Sequence, residues 1–100
     1  MKYKTIQSGS DLIVKISGAI TFDDHENMKA LISDVEDNSS DQVEVDMQEL
    51  SAIDSAGIGL LLLLNDRVKA FGGALVLRNI PPVPGKILEV AKIGEIIEIR

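Results

Sequence analysis

The run Asp54-Ser55-Ala56-Gly57-Ile58-Gly59-Leu60 places a serine hydroxyl directly after a carboxylate and just ahead of two glycines. A hydroxyl in that setting can be a nucleophile, a phosphate acceptor or a helix cap. A nucleophile elbow requires Gly-x-Ser-x-Gly, and Ile53 rather than glycine stands two positions before Ser55. His25 is the only histidine, so a Ser55–His25–Asp arrangement would depend on the fold bringing distant segments together. Asp23-Asp24-His25-Glu26 contains metal-ligand types, but acids at the front of a helix are what its dipole favours, and a solvated terminus is the expectation. Gly57-x-Gly59 lacks the third glycine of a dinucleotide loop, since Leu62 stands there, and Gly85-Lys86 lacks the leading glycine and the Ser or Thr of a phosphate loop. These motifs predict no enzyme, no metal and no cofactor.

The elements that must position Ser55 can be read from period and punctuation. Tyr3–Gln7 and Leu12–Ser17 are short β-leaning runs joined by the turn residues Ser8-Gly9-Ser10-Asp11, which predicts a hairpin. Thr21 followed by Asp24 fits a capping box, and Met28, Leu31, Ile32 and Val35 repeat at helical spacing over 22–37. Val43, Val45 and Met47 alternate with polar residues as a strand, and 50–54 reads as a connection into a second helix over 55–71. Ala74–Leu77 is nearly continuous in apolar residues, which suits a strand buried on both faces. Pro81, Pro82 and Pro84 mark a loop, with a short helix over 86–92 and a last strand over 96–99. The order ββαβαβαβ predicts a single α/β domain over residues 1–100. Its sheet is mixed but mostly parallel, with right-handed crossovers and packed helices.

Composition narrows the functions such a domain can have. One hundred residues suffice for one modest core, burying roughly two-thirds of the unfolded chain's surface. Sixteen Asp and Glu against ten Lys and Arg give a net charge of −6, which repels phosphate backbones and anionic lipids. Aromatics are 3%, so there is no platform for stacking bases, and nucleic acid is not an expected partner. The absence of cysteine excludes disulfides and thiol catalysis. The start Met1-Lys2-Tyr3-Lys4 lacks the apolar stretch of a signal peptide, and the run Leu60–Leu64 is far too short to span a bilayer. A cytoplasmic protein without membrane insertion is expected.

Protein docking remains. Two glycines early in a helix cost about 1 kcal/mol each relative to alanine, so they need a reason. Either they let the helix lie close to the sheet, with Ser55 or Asp54 as an ordinary N-cap, or they leave bare backbone beside an exposed hydroxyl for a partner. Leu60–Leu64 covers every side of a helix. With Leu60, Leu63, Leu64, Val68 and Phe71 toward the sheet, Ile58, Leu61 and Leu62 would form an apolar patch beside Ser55. That patch would be covered by a neighbouring helix or be a partner surface.

The segment Ile53-Asp54-Ser55-Ala56-Gly57-Ile58-Gly59-Leu60 closely resembles the signature of the STAS family, the domain named for sulfate transporters and anti-sigma factor antagonists. The resemblance extends over nearly the whole chain, through the opening hairpin, Gly18-Ala19-Ile20 before the first helix, and Gly72-Gly73 before the next strand. It implies a phosphorylation-switched regulator of the stand-alone anti-sigma factor antagonist type. Ser55 would accept phosphate from an anti-sigma factor serine kinase, the unphosphorylated form would bind that kinase, and a serine phosphatase would reset the switch. Asp54 and Thr21 would contact the kinase, with Gly57, Ile58, Gly59, Leu61 and Leu62 as docking surface. Thr21 stands where many members carry Asp, and nearby Asp23 would substitute for the missing charge. The chain ends at Arg100, where members often continue into a further helix, which leaves sheet surface for self-association as a homodimer. The alternative the family offers is an accessory subunit of a lipid- or anion-transport complex.

Overall fold

The computed structural model describes residues 1–100. The chain opens with a hairpin, β1 (Lys2–Ser8) and β2 (Asp11–Ile20), paired antiparallel with Lys2 opposite Ser17. A 3-10 turn (Phe22–Asp24) leads into α1 (His25–Asn38), followed by β3 (Gln42–Ile53), α2 (Ser55–Ala70), β4 (Ala74–Arg78), α3 (Pro82–Val90) and the short edge strand β5 (Glu98–Ile99). This is the ββαβαβαβ order read from the sequence. The five strands lie in the order β1-β2-β3-β4-β5, and every pair after the hairpin is parallel.

Sequential crossovers of one hand put every helix on the same side of the sheet. The core confirms this arrangement. Leu12, Val14 and Ile16 of β2, Val43, Val45 and Met47 of β3, and Leu75 and Leu77 of β4 form one cluster with Met28, Leu31, Ile32 and Val35 of α1, Leu60, Leu61, Leu64 and Val68 of α2, and Leu88 of α3. Tyr3, on the same face of β1, ties the hairpin to α1 by donating its hydroxyl to Asp34 at 2.7 Å. Burial first, then the carboxylate, push that phenol up to about 12.

The opposite face carries no helix, yet β4 is buried on both faces, as its continuous apolar run suggested. Val76 points away from the helices and lies outside the core cluster, yet it is buried. Its neighbours in register are Glu44 and Glu98, and an Arg78–Glu44 ion pair at 3.0 Å lies alongside. Long polar side chains, not a helix, flank it on that face.

Three boundaries moved. The expected loop at Pro81–Pro84 is the start of α3, because Pro82 occupies the first helical position, where a missing N–H costs nothing. The last strand is two residues, with Ile93–Glu95 forming a 3-10 turn before it. β3 runs on to Ile53, past the expected end at Met47, because β2 stays beside it with register shifts between Lys15 and Ser17 and between Gly18 and Ala19. The shifts break strict alternation, so Met47, Leu50 and Ile53 are buried three apart.

Candidate functional site

Because β2 and β3 are parallel neighbours, their carboxyl ends coincide, with Ile20 opposite Ile53. The chain leaves each end into a helix, so the first turns of α1 and α2 lie side by side. Asp54 joins them. It is the N-cap of α2, and its Oδ1 accepts from the Gly57 N–H at 2.7 Å. Its Oδ2 accepts from the Phe22 N–H at 3.3 Å, at the start of the 3-10 turn. One carboxylate therefore satisfies donors of both helix starts, where both dipoles favour an anion.

Gly57 sets how α2 sits. A Cβ at that position would lie 2.1 Å from the Ile20 carbonyl oxygen and 2.8 Å from Ile53 Cγ1. With Gly57 pressed on the end of β2, the helix buries Leu60, Leu61, Leu64 and Val68. The leucine run is thus rotated from the phase expected from the sequence. Leu61 is fully buried, so it offers no surface to a partner, and Gly57 is a close-packing position rather than bare docking backbone. Leu63, expected to face the sheet, is exposed instead. Ile58 and Leu62 are half-buried on a flank of α2.

Gly59 is different. It is exposed, and nothing lies within 4 Å of where its Cβ would be. No packing requirement explains a glycine there. Ser55, one turn back on the same outer side, is the exposed first residue of α2. Phe22 beside them is 69% exposed, a residue the sequence reading passed over. The available signal was an aromatic directly after the capping threonine, in a chain with few aromatics.

The sequence-derived capping box is present. Thr21 Oγ1 accepts from the Asp23 N–H at 3.4 Å, and Asp24 Oδ2 accepts from the Thr21 N–H at 2.7 Å. Asp23 itself is exposed on the rim. His25 takes the Phe22 carbonyl as its partner, at 2.9 Å from Nδ1, and stacks edge-on to the Phe22 ring. The structure gives it no hydrogen bond to Ser55.

Asp24 is buried, and it also accepts from the Met1 α-ammonium at 2.7 Å and from Asn27 Nδ2 at 3.1 Å. Burial alone would push this carboxyl up. The ammonium, the Thr21 N–H and the Asn27 amide outweigh it and hold the group at about 2, below the ordinary 3.8. A depressed folded-state value means stability that is present above the unfolded value and lost as pH falls from about 4 to about 2, an effect of about 2 kcal/mol. Asp24→Asn is expected to lose about that much at pH 7 and to match wild type near pH 2, as measured by urea unfolding at both pH values.

Comparison with known proteins adds the following. The family model described as "Mlab, STAS domain" matches residues 4–98. A STAS-domain containing protein of Pseudomonas aeruginosa is 28% identical over 91 residues, covering 91% of this chain and 89% of that protein. The anti-sigma factor antagonist SpoIIAA in its unphosphorylated form superposes with a TM-score of 0.77 at 17% identity, over 99% of this chain and 88% of that one. The phosphorylated form of the Bacillus protein gives 0.70 at 20% identity, over 99% and 91%. A sulfate transporter family protein from Wolinella succinogenes gives 0.75 at 18% identity, over 90% and 73%. At these identities the structures speak to the fold. No helix of the chain is long and apolar enough to cross a membrane.

Proposed function

The chain belongs to the STAS domain family, and from that premise we propose that it is a phosphorylation-switched, protein-binding regulator of the anti-sigma factor antagonist type, acting in the cytoplasm and not as an enzyme. The observation that carries this reading is the pairing of exposed Ser55 with Gly59, a helical glycine that no packing contact requires. The bare backbone at Gly59 lets a partner approach the Ser55 hydroxyl closely. Asp54, Thr21 and Asp23 frame the approach, with Ile58, Leu62 and Phe22 as its apolar margin. The partner is an anti-sigma factor that is also a serine kinase, and a serine phosphatase reverses the modification. Support comes from the likeness to SpoIIAA, whose structure is known in both unphosphorylated and phosphorylated forms.

Intact-mass measurement of wild type and Ser55→Ala isolated from the native cell tests this. A phosphoryl-sized increase is expected in wild type and absent from Ser55→Ala. The likeness to the sulfate transporter family protein favours a second reading, an accessory subunit of a lipid- or anion-transport complex. An unmodified wild-type chain that co-purifies with a transport ATPase would establish that reading in place of the first.

A further inference from the structure

The face of the sheet away from the helices concentrates positive charge at one edge. Lys2 and Lys4 of β1 and Lys15 of β2 share that face, since Tyr3, Val14 and Ile16 between them turn toward the helices. In register, Lys4 stands directly opposite Lys15, and Lys2 stands opposite Ser17. Like charges set opposite each other across two strands are destabilising, and an intervening carboxylate would remove the cost. The chain's ion pairs include none of these three lysines. Asp46, level with Lys15 on β3, accepts at Oδ1 from the Gln48 N–H and the Asn79 amide instead.

Edge protection accounts for part of this pattern. β1 is an edge strand, and lysines there discourage pairing with another chain. Lys15 is on the inner strand β2, where that reason does not apply. Its place opposite Lys4, in a chain of net charge −6, calls for another.

The backbone makes a hollow at the same spot. Between the Lys15–Asp46 and Ser17–Glu49 pairs, β3 takes three steps where β2 takes two, a bulge that bends the sheet. Lys2, Tyr3, Lys4, Lys15, Ser17 and Glu49 line a cavity of about 190 Å³ there. A site for a drug-sized ligand runs to roughly 300–1,000 Å³, so the occupant is small. Three ammonium groups against the single Glu49 carboxylate leave two positive charges in excess.

We infer that this hollow binds a small phosphate-type dianion. Lys4 and Lys15 share its charge, Lys2 adds a third cation, and the Ser17 hydroxyl offers a hydrogen bond. Glu49 on the rim repels a longer run of negative charge, such as a polyphosphate. A free ligand suits the chain better than a lipid headgroup, because a net charge of −6 repels an anionic bilayer. Bound anion removes the repulsion between Lys4 and Lys15, so ligand binding stabilises the hairpin. The site is on the opposite face of the sheet from the helices, and the inference does not depend on Ser55.

Thermal unfolding of the purified chain in inorganic phosphate, against sodium chloride at the same ionic strength, tests the site. Wild type should unfold at a temperature that rises with phosphate beyond any rise in chloride, as binding to the folded state requires. Lys4→Gln and Lys15→Gln should need roughly tenfold more phosphate for the same rise. In chloride both should be at least as stable as wild type, because each relieves the like-charge pair. Lys86→Gln removes an exposed lysine on α3, outside the hollow, and should respond as wild type does. A wild type with no phosphate-specific rise overturns the inference. An equal loss of the rise in Lys86→Gln would reduce the effect to net charge and overturn it too. Clear destabilisation of Lys4→Gln and Lys15→Gln in chloride would overturn it by giving the lysines a role in the fold. Sedimentation with phosphatidylglycerol vesicles, without a response to free phosphate, would overturn the free ligand in favour of a headgroup.

Discussion

Ser55→Asp is expected to weaken binding of the kinase partner more than 100-fold while leaving the fold intact, and phosphorylation of Ser55 should act at least as strongly. Two effects compete at this position. A phosphoserine carries about −1.5 to −2 charges, and the N-terminus of α2 favours an exposed anion by roughly 0.3–1 kcal/mol. Asp54, already held by both helix starts, repels the newcomer and offsets part of that gain. Net stability should therefore change little. The bound state differs, because the anion would be trapped beside Asp54 against an apolar margin of Ile58, Leu62 and Phe22. Burying an unpaired charge costs several kcal/mol, and a loss of about 3 kcal/mol already exceeds 100-fold in affinity. Titration calorimetry with the partner, alongside thermal unfolding of each variant, checks both halves. Wild-type affinity in Ser55→Asp and in the phosphorylated chain would sink the electrostatic switch, and a collapse of stability would relocate the effect to the fold.

The second large effect is a contrast between two glycines two residues apart. Gly57→Ala is expected to cost about 3 kcal/mol, lowering Tm by about 10–20 °C, even though alanine is the better helix former. Its methyl group would sit 2.1 Å from the Ile20 carbonyl oxygen, and backbone cannot move aside as a side chain can. Relief requires α2 to retreat from β2, which stretches the hydrogen bonds that tie its start to the end of β2 and the turn beyond, Asp54 N–H to the Ile20 carbonyl and Phe22 N–H to the Asp54 carboxylate. Gly59→Ala meets nothing within 4 Å and should stabilise by about 1 kcal/mol. If Gly59 serves docking, that more stable variant should nonetheless bind its partner less well. Paired thermal and urea unfolding of the two variants measures the opposite signs, and equal signs would refute this account of why each glycine is there.

The element order was legible because punctuation and period agreed at most boundaries. The capping box at Thr21 and Asp24 was readable to the residue, as was the hairpin turn. The phase of α2 was not. Five consecutive leucines present an apolar side chain in every direction, so the run holds no information about which side faces the sheet, and Leu61 and Leu63 exchanged roles. The rotation is set by Gly57 against Ile20, a contact between segments 37 positions apart that no local pattern encodes. Nor could the sequence tell Gly57 from Gly59, since both read as helix-weakening residues in the first turns. The one-sided sheet was missed for a different reason. Val76 is buried with Glu44 and Glu98 beside it in register rather than beneath a helix, and the two kinds of burial look the same in sequence.

The strand order β1-β2-β3-β4-β5 follows the chain itself, each strand pairing with the one made just before it. A polypeptide emerging from a ribosome could therefore add each strand and helix to a platform already present, since no early strand waits for a later one to fill a gap in the middle. Vectorial growth of this kind keeps the separation between paired strands short and spares the nascent chain a long exposure of unsatisfied edges.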